Sequence, residues 1–130
     1  MTTEYFVNLR PEEYLRHMII LDKKITNEEL KAIAANIYED MVKAVVDIDT
    51  DTIALDAELH SDLETLMLRN GSLQESLWGI NLYPDADDED FIEYDSIINI
   101  RPRQNNRSRD VENEEIRQRI RETVNKYIER

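Results

Sequence analysis

The apolar residues of this chain change their spacing once, between Met41 and Val42, and that change demands both a helix and a sheet within a short stretch. Upstream, Leu30, Ile33, Ala34, Ile37 and Met41 recur at three- and four-residue intervals, which places them in one stripe along a helix. Thr26 and Glu29 have the spacing of a capping box, with Ile25 and Leu30 set to staple it, so a helix is predicted over 26–41. Downstream, Val42, Ala44, Val46 and Ile48 alternate with Lys43, Asp47 and Asp49, the period of a strand. After a turn near Thr50-Asp51 the alternation resumes, with Ile53, Leu55, Ala57 and Leu59 on one face and Asp56, Glu58 and His60 on the other. The pattern predicts a hairpin.

The remaining elements follow from the same signals. A short buried strand is expected over 18–22. Ser61 and Glu64 suggest a second capping box, starting a helix through Leu63, Leu66 and Met67 that Asn70-Gly71 closes with a left-handed cap. Strands are expected over 76–83 and 91–100, joined by an acidic loop over 84–90. A last helix over 112–129 carries Ile116, Ile120, Val124, Tyr127 and Ile128 in its stripe, with Glu112, Glu114 and Glu115 at its positive end. The predicted fold is α+β: a mainly antiparallel sheet of four or five strands with three helices, at least two packed on one face, the opposite face left to water.

A chain of 130 residues is enough for one domain, placed at 18–130, preceded by an arm over 1–17. In the arm Tyr5, Val7 and Leu9 stand at alternate positions before an Arg10-Pro11 break, the pattern of an added edge strand or of a contact that would make a homodimer. The opening residues lack the apolar run of an export signal and no run is long enough to span a bilayer, so a cytoplasmic protein without membrane contact is expected. There is no cysteine, which removes disulfides, thiolate metal sites and thiol nucleophiles.

The net charge of −13 repels phosphate backbones and argues against broad nucleic-acid binding. The charge is unevenly spread: 23 of the 29 acidic side chains lie in residues 1–100, while 9 of the 16 basic ones lie in 101–130.

Two acidic stretches imitate calcium loops. Asp47, Asp49, Asp51 and Glu58 fall at four of the template positions, but Thr52 stands where the turn needs Gly and the flanks alternate as strands. The 84–90 loop lacks both the turn Gly and the closing Glu, and is expected to be solvated and self-repelling. His60, near Glu58 and Asp62, has no second His at helical spacing to complete a zinc site. Neither a metal nor another cofactor is expected. Trp78, Ile80 and Leu82 share a strand face and belong to the core.

The richest stretch is 101–109, which carries Arg101, Arg103, Arg107 and Arg109 with Asn105, Asn106 and Ser108 between the last strand and the last helix. Asparagine tolerates left-handed backbone, so successive N–H groups there can form an anion-binding concavity flanked by guanidinium forks. The favoured reading is a binding or regulatory module that engages a protein or small anionic ligand through this loop. The alternative is a small phosphodiesterase or RNase on a polar sheet face, where Glu58, His60, Asp95, Asn99 and Arg101 would do acid–base chemistry, with Asn81 in the same polar set. The plainer account of both is ion pairing that serves only the fold.

The segments around Glu58-Leu59-His60, Leu77 to Pro84, Ile97 to Pro102 and Asn106 to Arg109 together resemble a small prokaryotic family of uncharacterised proteins, domain of unknown function 5674, over about residues 18 to 130. The resemblance implies strands rather than an EF-hand at the acidic hairpin, and implies no activity and no catalytic residues.

Overall fold

The computed structural model describes residues 18–130, and the arm over 1–17 lies outside the described residues. The chain order is β1 (Ile19–Ile20), β2 (Ile25–Thr26), α1 (Asn27–Ala34), β3 (Val42–Asp47), β4 (Thr52–Leu55), α2 (His60–Arg69), β5 (Leu77–Leu82), β6 (Ile92–Glu93), α3 (Glu114–Tyr127) and β7 (Ile128–Glu129). Five strands form one antiparallel sheet in the order β1-β4-β3-β5-β6, while β2 and β7 make a separate parallel pair. An α+β fold with three helices and an antiparallel sheet is therefore what the described residues adopt.

The acidic calcium-like segment is the β3–β4 hairpin, in which Asp47 pairs with Thr52 and Val46 with Ile53. Its carboxylates serve three different parts of the fold. Asp47 accepts from the backbone N–H of Asp49 and Thr50, at 2.9 and 3.0 Å, and from Ser72 Oγ at 2.6 Å. Asp49 takes Ser76 Oγ and an ion pair from Arg119, and Asp51 takes Thr123 Oγ1 and Lys126, the latter at 3.0 Å.

Both sides of the sheet are covered, which corrects the expectation of a wet face. On one side Val42, Ala44, Val46, Trp78, Ile80 and Leu82 pack with Leu30 and Ala34 of α1 and with Ile120 and Val124 of α3. On the other side Val45, Ala54 and Leu77 meet Leu63 and Met67 of α2. Alternate positions of β3 and β5 are thus apolar on both faces where the helices lie, and polar residues are confined to the ends.

Several boundaries differ from the pattern-based expectation. The helix predicted over 26–41 has the predicted capping box but ends at Ala34. Asn36 Nδ2 then donates to Asp56 and Tyr38 Oη to the Glu58 carbonyl, at 3.1 and 2.6 Å, and these tertiary bonds draw the chain off the helix axis toward β3. Strand β4 stops at Leu55 because Asp56 adopts φ 77°, so Leu59 ends exposed rather than in line with Ile53. Helix α2 begins at His60 after an uncapped Leu59; Ser61 is not a cap, and Glu64 turns instead toward Arg101. The left-handed closure at Gly71, φ 100°, is present. The expected buried strand at 18–22 is a two-residue edge strand with Ile19 partly exposed. The acidic 84–90 loop is tethered rather than free, Asp85 by Lys31 at 3.2 Å and Asp88 by Arg130 at 2.7 Å.

The largest departure is the strand expected over 91–100. Pairing ends at Glu93, and a 3₁₀ turn at Ile97–Asn99 lies against β5 in its place. The reason is at Gly79: a Cβ there would stand 2.6 Å from Ser96 Cβ, so the missing side chain lets the 95–99 segment cross the strand instead of running alongside it.

Candidate functional site

Where β6 stops, the edge of β5 is closed by side chains. Asn99, fully buried, accepts the Gly79 N–H on Oδ1 at 2.8 Å and donates from Nδ2 to the Gly79 carbonyl at 2.9 Å, and its Nδ2 also reaches the Arg109 carbonyl at 3.0 Å. Two residues on, Arg101 donates from Nη2 to the Leu77 carbonyl and lies 3.7 Å from Glu64, its guanidinium carbon 4.9 Å from the centre of the Trp78 ring. Burial lowers the Arg101 pKa, with Glu64 opposing. Arg101, expected at an anion site, is thus spent joining β5 to α2.

From Arg101 the chain makes a closed loop. Arg101 and Asn106 exchange backbone hydrogen bonds of 2.6 and 3.1 Å across a 3₁₀ turn at Pro102–Gln104, with Asn105 left-handed at φ 61°. Asn106 is not left-handed but buried at the loop's centre. Its Nδ2 donates its two hydrogens to the carbonyls of Asn99 and Asp110 at 2.7 and 2.6 Å, one of them shared with the Ser108 carbonyl at 3.1 Å, and its Oδ1 accepts the Glu112 N–H at 2.8 Å. One side-chain amide therefore fixes the shape of the whole connection, satisfying backbone groups that have no secondary structure to pair with.

Two successive N–H groups of the loop, those of Arg107 and Ser108, converge on an anion of this chain. Glu112 Oε2 accepts the N–H of Arg107 at 3.0 Å, the N–H of Ser108 at 3.0 Å and the Ser108 hydroxyl at 2.7 Å. The Ser108 hydroxyl, the two N–H groups and the nearby Arg107 charge hold the Glu112 pKa below the usual carboxylate value. In the sequence Glu112 reads only as helix-terminal charge, because a spacing of four residues from Ser108 to Glu112 signals nothing until the loop is folded.

The four arginines of the loop divide in two. Arg101 is buried against Glu64, and Arg109 pairs with Asp95 at 2.6 Å. Arg103 and Arg107 are exposed, and their guanidinium groups make no ion pair, hydrogen bond or ring contact among the described residues. Beside them stand aliphatic side chains that the sequence pattern had assigned to a strand: Ile97 is 70% exposed and Ile100 44%. The one sign of this in the sequence is that Ile97 stands where the alternation of Glu93, Asp95, Asn99 and Arg101 calls for a polar residue.

The expected polar sheet face comes together only in part. His60, Asn81, Asp95 and Asn99 lie on the α2 side of β5, whereas Glu58 is exposed beyond the end of β4 and offers its backbone carbonyl to Tyr38. His60 Nε2 is 2.8 Å from the Ile80 carbonyl, as donor to it. Burial pushes its pKa down to about 4, and Lys43 adds to this while the Ile80 carbonyl and Asp95 offset part of it. Asn81 Nδ2 donates to Glu93 at 2.8 Å and to the Asp95 carbonyl at 3.3 Å, while its buried Oδ1 has no hydrogen-bond partner of normal geometry among the described residues. His60 and Arg101 hold carbonyls of β5 three residues apart, which separates them by about 10 Å along the strand. No group of three or more His, Asp or Glu that could hold a metal ion occurs among the described residues, nor is any helix there long and apolar enough to cross a membrane.

Residues 18–127 match the model of a family described as "Protein of unknown function (DUF5674)". The chain belongs to this family. The DUF5674 match runs from the start of β1 to the end of α3 and so contains the whole Asn99–Glu112 connection. No curated protein and no solved structure matches the chain.

Proposed function

We propose that this DUF5674 protein is a binding module that engages an anionic or protein partner through the loop over 101–109. The observation that carries the reading is that Arg103 and Arg107 are exposed and make no direct ion pair among the described residues. Six of the eight arginines from Arg101 onward make an ion pair with a carboxylate, and the chain holds 29 acidic side chains, yet among the described residues Arg103 and Arg107 make no such pair, Arg107 only lying near enough to Glu112 to help lower its pKa. An exposed guanidinium on a rigid loop in so acidic a chain is available to a carboxylate or phosphate from outside, and the loop around it is held by Asn106 and Glu112 without their help.

The phosphodiesterase alternative draws less support. Its imidazole is buried, already bonded to Ile80 and pushed down to about 4, a weak base at neutral pH. Its arginine is committed to Leu77, Glu64 and Trp78.

The test compares the full chain with the Arg103→Gln/Arg107→Gln double variant as immobilised bait, quantifying bound proteins and small anions. The expected outcome is an unchanged circular dichroism spectrum with loss of whatever the wild type retains. Equal retention by both would reduce the loop to a solvated connection.

A further inference from the structure

The chemistry of the same surface narrows the partner. We infer that the loop docks an acidic segment of another protein that carries apolar side chains, which rests on the binding reading above and goes on to name the partner's class.

The first ground is the aliphatic surface. Ile97 and Ile100 stand exposed in the turn that leads into the loop, and Leu73 and Leu68 are two more large aliphatic residues left at 63% and 40% exposure. Two contacts bring their segments together: Arg101 pairs with Glu64, one helical turn before Leu68, and Gln104 Nε2 donates to the carbonyl of Glu75, two residues after Leu73, at 3.0 Å. Four large aliphatic side chains left in water around one loop cost hydration free energy that docking on an apolar partner recovers. A small anion gains nothing from them. Single-stranded nucleic acid binds through aromatic stacking platforms, and the exposed residues here are aliphatic, in a chain whose net charge repels polyanions.

The second ground is charge complementarity. Ile100 and Arg107 are the residues next to the paired Arg101 and Asn106, and Arg103 lies in the turn that pair closes; arginine is the cation best suited to an interface because its planar fork pairs two oxygens and is weakly hydrated.

The experiment places a photoreactive phenylalanine analogue at position 97 of the full chain, where the side chain is exposed and folding is not at stake, and illuminates it in the cells that normally contain the protein. Adducts are mapped by mass spectrometry in parallel with the same chain carrying Arg103→Gln and Arg107→Gln. The expected result is an adduct to a protein segment rich in Asp or Glu with large apolar residues, reduced about tenfold or more in the double variant, since two interface arginines together contribute at least that factor. An adduct to nucleic acid, to a second copy of this chain, or to a segment without acidic residues overturns the partner class and leaves the loop as a binding site. No adduct above the double-variant background overturns the inference and the binding reading together.

Discussion

The side-chain amide of Asn99 bonds both backbone polar groups of Gly79, with Oδ1 accepting at 2.8 Å and Nδ2 donating at 2.9 Å. A side chain thus takes over the pairing of a strand at the point where β6 ends, and this exchange is what frees the following residues to form the candidate site. Asn99→Ala leaves buried backbone groups of Gly79 without partners, and each such group costs about 1–3 kcal/mol. The expected loss, read from urea denaturation, is at the upper end of that range or beyond, without a change in the denaturant slope.

Gly79→Ala tests the other half of the same contact. The new Cβ meets Ser96 Cβ at 2.6 Å and Ser96 Oγ at 2.7 Å, so the segment over 95–99 must shift. Overpacking of this kind costs about 1–3 kcal/mol. Adding Ser96→Gly removes both atoms, and the double-mutant cycle is expected to return part of the loss; a strictly additive result would show that the contact is not the cause.

His60 makes stability depend on pH in a defined window. Its folded pKa of about 4 lies below the ordinary value of 6.5, so the unfolded chain takes up a proton first as pH falls. The His60 contribution is complete above pH 6.5 and is lost progressively from there down to about 4, to a total of about 3 kcal/mol. His60→Gln is expected to flatten the stability curve across that window. Parallel slopes for the two proteins would contradict it.

Glu112 acts lower on the scale and only on the loop. Its depressed pKa means that its bonds are intact above the usual value of 4.5 and are lost as pH falls through and below it. Glu112→Gln replaces the charged acceptor with a neutral one, and amide hydrogen exchange at Arg107 and Ser108 is expected to quicken while the sheet amides are unchanged.

The acidic hairpin predicts indifference to calcium. Asp47, Asp49 and Asp51 are turned toward Ser72, Ser76 with Arg119, and Thr123 with Lys126 respectively, so no common point collects their oxygens. Thermal melts with excess calcium and with EDTA are expected to coincide. A ligand at 100 times its Kd would add about 2.7 kcal/mol and be plain in such a comparison.

What the sequence determined by itself is the set of features that depend on near neighbours. The Thr26–Glu29 box, the β3–β4 hairpin with its period of two, the Trp78, Ile80 and Leu82 core face, the Gly71 closure and the stripe of α3 each need contacts only a few residues apart or one face against a core. Tertiary structure decided the rest because the deciding partner is distant in the chain. Helix α1 ends where Asn36 and Tyr38 find Asp56 and Glu58. The strand beginning at Ile92 ends because Gly79, more than ten residues earlier, leaves room for Ser96, and Asn99 then turns inward while Ile97 and Ile100 turn out. Which of the four loop arginines make a direct ion pair followed from Glu64 and Asp95 reaching two of them. An alternating pattern reports the faces of a strand, but it carries no information on whether a neighbouring strand leaves the space for it to continue.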